Sequence, residues 1–315
     1  MKHFLTIWMA CLTALAAHAQ TPRTFRLTNG NGMEAVVSNY GARLMSLTAH
    51  NWNGRLEPVV KGFDSVDDYR QLPTLGATLL NFTSTTADAL ADNTWDVISS
   101  DNQSVAMRCT ADCGEPGSGG KANISVTYTL TDQNALDIDY RVTSTVPVPL
   151  RLTNGIVFNL SGDGHRSILR QHLWLDAAKH NLLDDRRQPS GTLQPVRNTP
   201  LNFLRPREIG DRIGLLGEGY CHAFQLRHPD NMQKPAAILF DAQSGRSMTV
   251  YVAEPTLKVN TYGSQSNGIS FQPLHSGFNG SGEAIDNILR PGQVFHTATV
   301  FLFATDPPLI MKTAK

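Results

Sequence analysis

Apolar and polar residues alternate one for one in run after run of this chain. A strand points successive side chains to opposite faces, so a period of two demands half-buried β-strands and excludes long amphipathic helices. Ile124-Ser125-Val126-Thr127-Tyr128-Thr129-Leu130 alternates cleanly and ends at Thr131-Asp132-Gln133-Asn134, a turn sequence. Leu136-Asp137-Ile138-Asp139-Tyr140-Arg141-Val142 resumes the alternation, so the two runs read as a hairpin. Similar runs cover Gly32–Val37, Ser104–Arg108, Ala237–Phe240, Ser247–Val252 and His296–Phe303. The 17 prolines of the 315-residue chain leave little room for long helices. The best helix candidate is Ser65–Tyr69, where Ser65 caps and Asp67 and Asp68 suit the N-terminal dipole. No repeat or linker interrupts the pattern. The alternation predicts an all-β fold, a single antiparallel β-sandwich domain over residues 20–315.

The first residues break this pattern. Lys2 precedes the apolar stretch Phe4–Leu15, and Ala17-His18-Ala19 supplies a small-x-small cleavage site before Gln20. That three-part arrangement reads as a signal peptide over residues 1–19, too short in its apolar part for a membrane span. The expected location after cleavage near Ala19 is the periplasm or the exterior. In such a compartment Cys109 and Cys113 could pair across the CTADC loop if their Cα atoms come within ~7 Å, or stand as unpaired small residues.

Several classes of function are excluded by residues that are missing. Lys and Arg number 27 against 27 Asp and Glu, so there is no basic excess to hold a nucleic acid. Gly114–Gly120 lacks the Lys-Ser/Thr ending of a nucleotide cradle. No Gly-x-Ser-x-Gly elbow and no His-Glu-x-x-His occurs, and the CxxxC pair has no His partner to make a zinc site. Neither metal nor cofactor is expected. Two histidines stand beside glycines, where a side chain can approach a ligand closely: His222 after Gly219-Tyr220-Cys221, and His275 ahead of Ser276-Gly277. Imidazole suits proton transfer near neutrality, although a histidine that simply supports a loop fits the same pattern. His165, His172, His180, His228 and His296 lie in turns or polar runs and read as surface residues. Glu283 is a candidate carboxylate base at a loop tip, and Glu254-Pro255 reads as a turn.

Taken together in order, many short segments resemble the aldose 1-epimerase (galactose mutarotase) family. They are Asn39-Tyr40-Gly41-Ala42-Arg43-Leu44, Gly62-Phe63-Asp64-Ser65 to Asp68-Tyr69, Gly76-Ala77-Thr78, Val126-Thr127-Tyr128-Thr129-Leu130-Thr131-Asp132, Leu152-Thr153-Asn154, Phe158-Asn159-Leu160-Ser161-Gly162 and Pro189-Ser190-Gly191. Gly219-Tyr220 with His222, Glu254-Pro255, His275-Ser276-Gly277-Phe278 and Leu289-Arg290-Pro291-Gly292 complete the set. The resemblance spans residues 24–303. It implies a galactose-mutarotase-like β-supersandwich with a sugar cleft, acting on a free aldose without metal or cofactor. In that chemistry a carboxylate takes the C1 hydroxyl proton while a histidine protonates the ring oxygen. The ring then opens, C1 rotates and the ring recloses.

The residues that carry this chemistry in the family are replaced here. The family's sugar-binding Arg falls on Thr85, and Ala87–Trp95 is too short for its histidine-bearing insertion. Its acid histidine falls on Gly155, directly after Asn154, and a sugar-binding Asp falls on Cys221. Its base glutamate falls on Ser281. The resemblance therefore marks Thr85, Asn154, Gly155, Cys221, His275 and Ser281 as cleft positions, with His222 and Glu283 as substitute acid and base. The short Ala87–Trp95 connection and the missing side chain at Gly155 imply a wider, more open cleft. Three readings follow: a mutarotase with a rearranged acid–base pair, a mutarotase-fold protein that binds a monosaccharide or other carbohydrate without turning it over, and a glycosidase. The last needs two carboxylates flanking the cleft, and few acidic residues fall in the motif loops.

Overall fold

The alternating runs fold as strands, most of them reaching a residue or more beyond what the sequence pattern marks. The computed structural model describes residues 21–82, 90–115, 117–183, 189–217, 219–262, 266–275, 287–306 and 308–312. The first strands are β1 (Thr24–Thr28), β2 (Glu34–Ser38), β3 (Arg43–His50), β4 (Leu56–Pro58), β5 (Thr78–Asn81), β6 (Asp96–Ser100) and β7 (Ser104–Asp112). The middle of the chain forms β8 (Lys121–Leu130), β9 (Ala135–Ser144), β10 (Val148–Pro149), β11 (Arg151–Asn154), β12 (His172–Leu175), β13 (Ala177–Leu183), β14 (Pro189–Pro195) and β15 (Arg207–Glu208). The last are β16 (Cys221–Leu226), β17 (Ala237–Phe240), β18 (Ser247–Val252), β19 (Thr256–Thr261), β20 (Ile269–Leu274), β21 (Ile288–Leu289) and β22 (Phe295–Ala304).

Two sheets dominate. One has nine strands in the order β15-β12-β17-β18-β22-β9-β8-β7-β6, and the other has five in the order β14-β13-β16-β19-β20. The apolar positions of both, among them Val126, Ile138, Val250 and Phe301 on the first and Phe224, Leu257, Val259 and Phe271 on the second, meet in one continuous core. Phe158 joins them, its ring centroid 4.7 Å from that of Phe301 and 6.4 Å from that of Phe271. Burial of alternate residues on both sheets is what the period-two pattern requires of a sandwich. The hairpin read at Ile124–Val142 forms as β8 and β9, with Leu130 opposite Leu136. Asn134 takes φ 63° in its turn, a conformation asparagine adopts more readily than most residues. Ser65 accepts from the Asp67 N–H at 3.3 Å and caps a single 3₁₀ turn at Val66–Arg70.

Cys109 and Cys113 are both free. Cys109 lies inside β7 and Cys113 directly after it, so four residues of extended chain hold them about 13 Å apart, well beyond the ~7 Å a disulfide spans. Among the described residues no helix is long and apolar enough to cross a membrane. Residues 1–19, the signal peptide read from the sequence, lie outside the described residues.

The least expected member of the interior is Arg43, fully buried at the start of β3. Its guanidinium donates to four backbone carbonyls: Tyr40 at 2.8 Å, Ala91 at 2.7 Å, and Pro73 and Leu75 both at 3.2 Å. The rings of Tyr69 and Tyr40 cover it at 4.4 and 4.8 Å. Burial lowers its pKa, and nearby Tyr69 and Tyr40 oppose that shift. Among the described residues no carboxylate hydrogen-bonds to it. The donors are spent on carbonyls that would otherwise be buried and unmet, each at a cost of roughly 1–3 kcal/mol. Arg43→Met should therefore destabilise the protein by at least about 3 kcal/mol in urea unfolding, with an unchanged dependence on denaturant.

Candidate functional site

The outer face of the five-stranded sheet is set by register. Residues directly opposite each other across antiparallel strands share a face. Cys221 pairs with Asn260, Ala223 with Lys258 and Gln225 with Thr256 across β16 and β19. Asn260 then pairs with Ser270, Lys258 with Gln272 and Thr256 with Leu274 across β19 and β20. On the other side of β16, Gln225 pairs with Lys179 of β13. Three rows of side chains, most of them polar, result. The alternate positions Phe224, Leu257, Val259 and Phe271 go to the core, which fixes the polar rows on the opposite face. Cys221, Lys258, Asn260 and Gln272 are partly exposed, whereas Thr256 and Ser270 are buried with hydroxyls that find no partner.

Gly219 and Tyr220 anchor one end of this surface. Gly219 has φ 85°, and a Cβ there would stand 2.6 Å from Thr261 Oγ1. The same hydroxyl accepts from the Tyr220 N–H at 2.9 Å. Tyr220 is buried, donates to the Ile209 carbonyl at 3.3 Å and packs edge-on against Phe203; burial pushes its pKa up to about 12. These contacts deliver Cys221 to the first position of β16.

Gln272 connects the sheet to Asn154, donating to its backbone carbonyl at 3.2 Å. The Asn154 side chain is buried; its Oδ1 accepts from the Ile156 N–H at 3.2 Å and its Nδ2 meets no partner. Gly155 follows, and its surroundings overturn the expectation of a wider cleft. A Cβ on Gly155 would lie 1.8 Å from the Thr74 carbonyl oxygen and 3.4 Å from the Gly76 nitrogen. The backbone of residues 74–77 fills the space where a side chain would begin. It is held there by Gly76 N–H to the Gly155 carbonyl at 2.9 Å and Gly155 N–H to the Ala77 carbonyl at 2.8 Å. Glycine is required at this position for close approach, not for a left-handed conformation.

His222 follows Cys221 in an extended strand, so the two side chains leave opposite faces of the sheet. Opposite Val259, His222 turns toward His180, with ring centroids 6.0 Å apart. Its Nδ1 accepts from the Cys221 N–H at 3.1 Å. His180, expected at the surface, is buried because it sits opposite Phe224 on the core side of β13. Its Nδ1 hydrogen-bonds the Asn181 carbonyl at 3.0 Å, which makes that nitrogen the donor, and burial lowers its pKa.

His275 stands just past β20, away from the Cys221 end of that strand. It bonds to the buried Glu254 Oε2 at 2.8 Å and packs edge-on against Phe295 at 4.8 Å. It borders a groove lined by Leu150, Ile288, Leu289, Arg290 and Phe295. The Glu254-Pro255 turn thus carries a carboxylate that holds an imidazole. Thr85, Ser281 and Glu283 lie outside the described residues. Among the described residues no three His, Cys, Asp or Glu side chains converge as a metal ion would need. Sequence reading missed Lys258, Asn260 and Gln272. The signal that exposes them is the alternation within Thr256–Thr261, polar at 256, 258 and 260 and apolar at 257 and 259.

Two outcomes follow from this geometry. Gly155→Ala should cost about 1–3 kcal/mol in thermal or chemical unfolding, since the methyl group has no free space. Gly155→His should cost at least as much. His180 has a folded pKa below its unfolded value, so the folded state resists a proton that the unfolded chain accepts. Its stability contribution is fully present above the unfolded pKa of about 6.5 and declines as pH falls from there toward the folded pKa. Unfolding midpoints measured from pH 8 to 5 should therefore fall less steeply in His180→Gln than in the parent protein.

Comparison with known proteins agrees with this architecture. The family model described as Aldose 1-epimerase matches residues 23–84 and 86–301. Aldose 1-epimerase of Escherichia coli (strain K12) is 27% identical over 278 residues, covering 78% of this chain and 80% of the relative. The crystal structure of a GalM/aldose epimerase homologue from C. elegans superposes with a TM-score of 0.78 at 21% identity, covering 90% of this chain and 99% of that one. Galactose 1-epimerase from Lactobacillus acidophilus gives 0.72 at 20% identity, covering 89% and 94%. With a family match over nearly the whole described chain and the same fold in solved relatives, this protein belongs to the aldose 1-epimerase family.

Proposed function

We propose that this protein binds a carbohydrate on the polar outer face of the five-stranded sheet and does not interconvert anomers by the acid–base pair its family uses. The observation that carries this reading is the Thr74 carbonyl, 1.8 Å from where a Cβ on Gly155 would stand. Anomer interconversion needs a proton donor at the ring oxygen and a base at the C1 hydroxyl in one step. The resemblance puts the donor at residue 155, where backbone now fills the space. His222, the substitute acid, leaves the face opposite to Cys221 and so turns away from Lys258, Asn260 and Gln272. Removing one member of an acid–base set costs ~10²–10⁴ in rate. What remains suits recognition: amide, ammonium and hydroxyl groups in rows, the inventory with which a sugar's hydroxyls are bound. The leader read from the sequence at residues 1–19 supports a periplasmic or extracellular setting for this binding.

Polarimetry of freshly dissolved α-D-glucose and α-D-galactose with the mature protein should show decay at the rate of the buffer alone. Titration calorimetry with a panel of monosaccharides should show binding of at least one, weakened about tenfold or more in Asn260→Leu. Accelerated decay that disappears in Glu283→Gln would overturn the proposal in favour of a relocated acid–base pair.

A further inference from the structure

The charge on the outer face of the five-stranded sheet narrows the class of sugar. Lys258 occupies the central row, between Ala223 and Gln272, and Lys179 stands in the adjacent row beside Gln225. No Asp or Glu belongs to these rows among the described residues, and neither lysine makes an ion pair there. Several other cations of this chain do stand beside carboxylates. Arg26 pairs with Glu34, Lys121 with Asp112, Arg227 with Asp176, Arg246 with Glu57 and Lys312 with Asp306. The resemblance deepens the asymmetry, because the family's sugar-binding Asp is Cys221 here. By that resemblance a carboxylate is missing from this face, and among the described residues its rows set no carboxylate beside the two ammonium groups.

A second, independent observation points to a ligand at the same place. Thr256 Oγ1 and Ser270 Oγ are at least 98% buried and have no hydrogen-bond partner, and the register puts both on this face. Thr256 precedes Lys258 by two residues on its own strand, and Ser270 is two before Gln272, the direct neighbour of Lys258. An unmet buried hydroxyl costs stability unless something satisfies it, and the hydroxyls here flank the lysine. Two strand spacings of about 4.8 Å and a two-residue offset along the strand put Lys179 and Lys258 roughly 12 Å apart, within the combined reach of two flexible lysine arms toward one small ligand.

We infer that this face takes an anionic monosaccharide, a sugar bearing a carboxylate or phosphate group that Lys258 neutralises with Lys179 beside it. The inference rests on the sugar-binding reading above and adds to it the class of sugar. Amides at Gln272 and Asn260 and the two hydroxyls would meet the neutral part of the ring, while the ammonium of Lys258 sets the preference for charge through a charge-assisted hydrogen bond.

The test is calorimetric titration of the mature protein with D-galacturonate, D-glucuronate, D-glucose 6-phosphate, D-galactose and D-glucose, with acetate and inorganic phosphate as sugar-free anions. At least one anionic sugar should bind about tenfold or more tightly than its neutral parent, and added salt should weaken it. Preference for the uronates alone identifies a carboxylate ligand, and preference for the 6-phosphate alone identifies a phosphate. Lys258→Gln should erase the preference and Lys258→Arg should keep it, so that a general loss of folding is told apart from loss of charge. Neutral sugars binding as tightly as anionic ones, a preference that survives Lys258→Gln, or sugar-free anions binding as well as the sugars would each overturn the inference while different parts of the wider reading stand or fall. Equal neutral binding leaves the sugar-binding proposal intact, whereas binding of no sugar at all removes both.

Discussion

A single buried cation organises the part of the molecule on which the chemistry turns. Among the described residues Arg43 has no carboxylate partner; instead it gathers the carbonyls of Tyr40, Pro73, Leu75 and Ala91, which come from three separate stretches of chain. Two of those carbonyls flank Thr74, so the guanidinium fixes the loop whose own carbonyl closes the space at Gly155. Interior charge of this kind is tolerable because the planar fork meets one acceptor with nearly every direction it can donate, and aromatic faces of Tyr40 and Tyr69 cover the rest. The consequence reaches the site directly: a catalytic histidine could not be restored at residue 155 without moving a loop that a buried arginine holds.

The family motifs divide by physical role. Asn159 donates to the carbonyls of Asp163, Arg166 and Asn267 and so ties its own connection to the segment before β20. Tyr220 anchors the entry to β16, Glu254 holds His275, and Tyr128 donates to the Ala42 carbonyl at 2.8 Å. Each of these residues satisfies buried polar groups that any protein with this backbone must satisfy. Gly155 and Cys221, which the resemblance aligns with the family's acid and a sugar-binding carboxylate, are where the chain departs from the pattern. Membership of the fold does not by itself fix the reaction, because groups that hold a backbone can differ from groups that move protons.

Much of the architecture was legible in the residues. The hairpin at β8 and β9, the strands at 237–240 and 247–252 and the capped turn after Ser65 follow from alternation, turn residues and a serine ahead of two aspartates. The site was legible only in part. The departures at Gly155 and Cys221 could be seen by resemblance, but Lys258 and Gln272 belong to no motif and were passed over. His180 read as a surface residue because its neighbours Lys179 and Asn181 are polar, yet the pairing with Phe224 turns it inward. The spacing of Cys109 and Cys113 left pairing and unpaired thiols both open, and extended backbone holds the two apart.

By itself the sequence determined the class of fold, the family and the positions, Gly155 and Cys221 among them, where its motifs differ by resemblance from the family's, because periodicity and short motifs are local properties written along the chain. Tertiary structure alone decided what stands where those residues were. Whether Gly155 opens a cavity or meets a carbonyl depends on Thr74, brought close by contacts to Arg43. Whether His222 can join Cys221 depends on the pleat of β16, and whether Lys258 has a counter-charge depends on which residues two neighbouring strands place beside it. Contacts between residues distant in sequence settle each of these questions, and no local pattern of side chains encodes them.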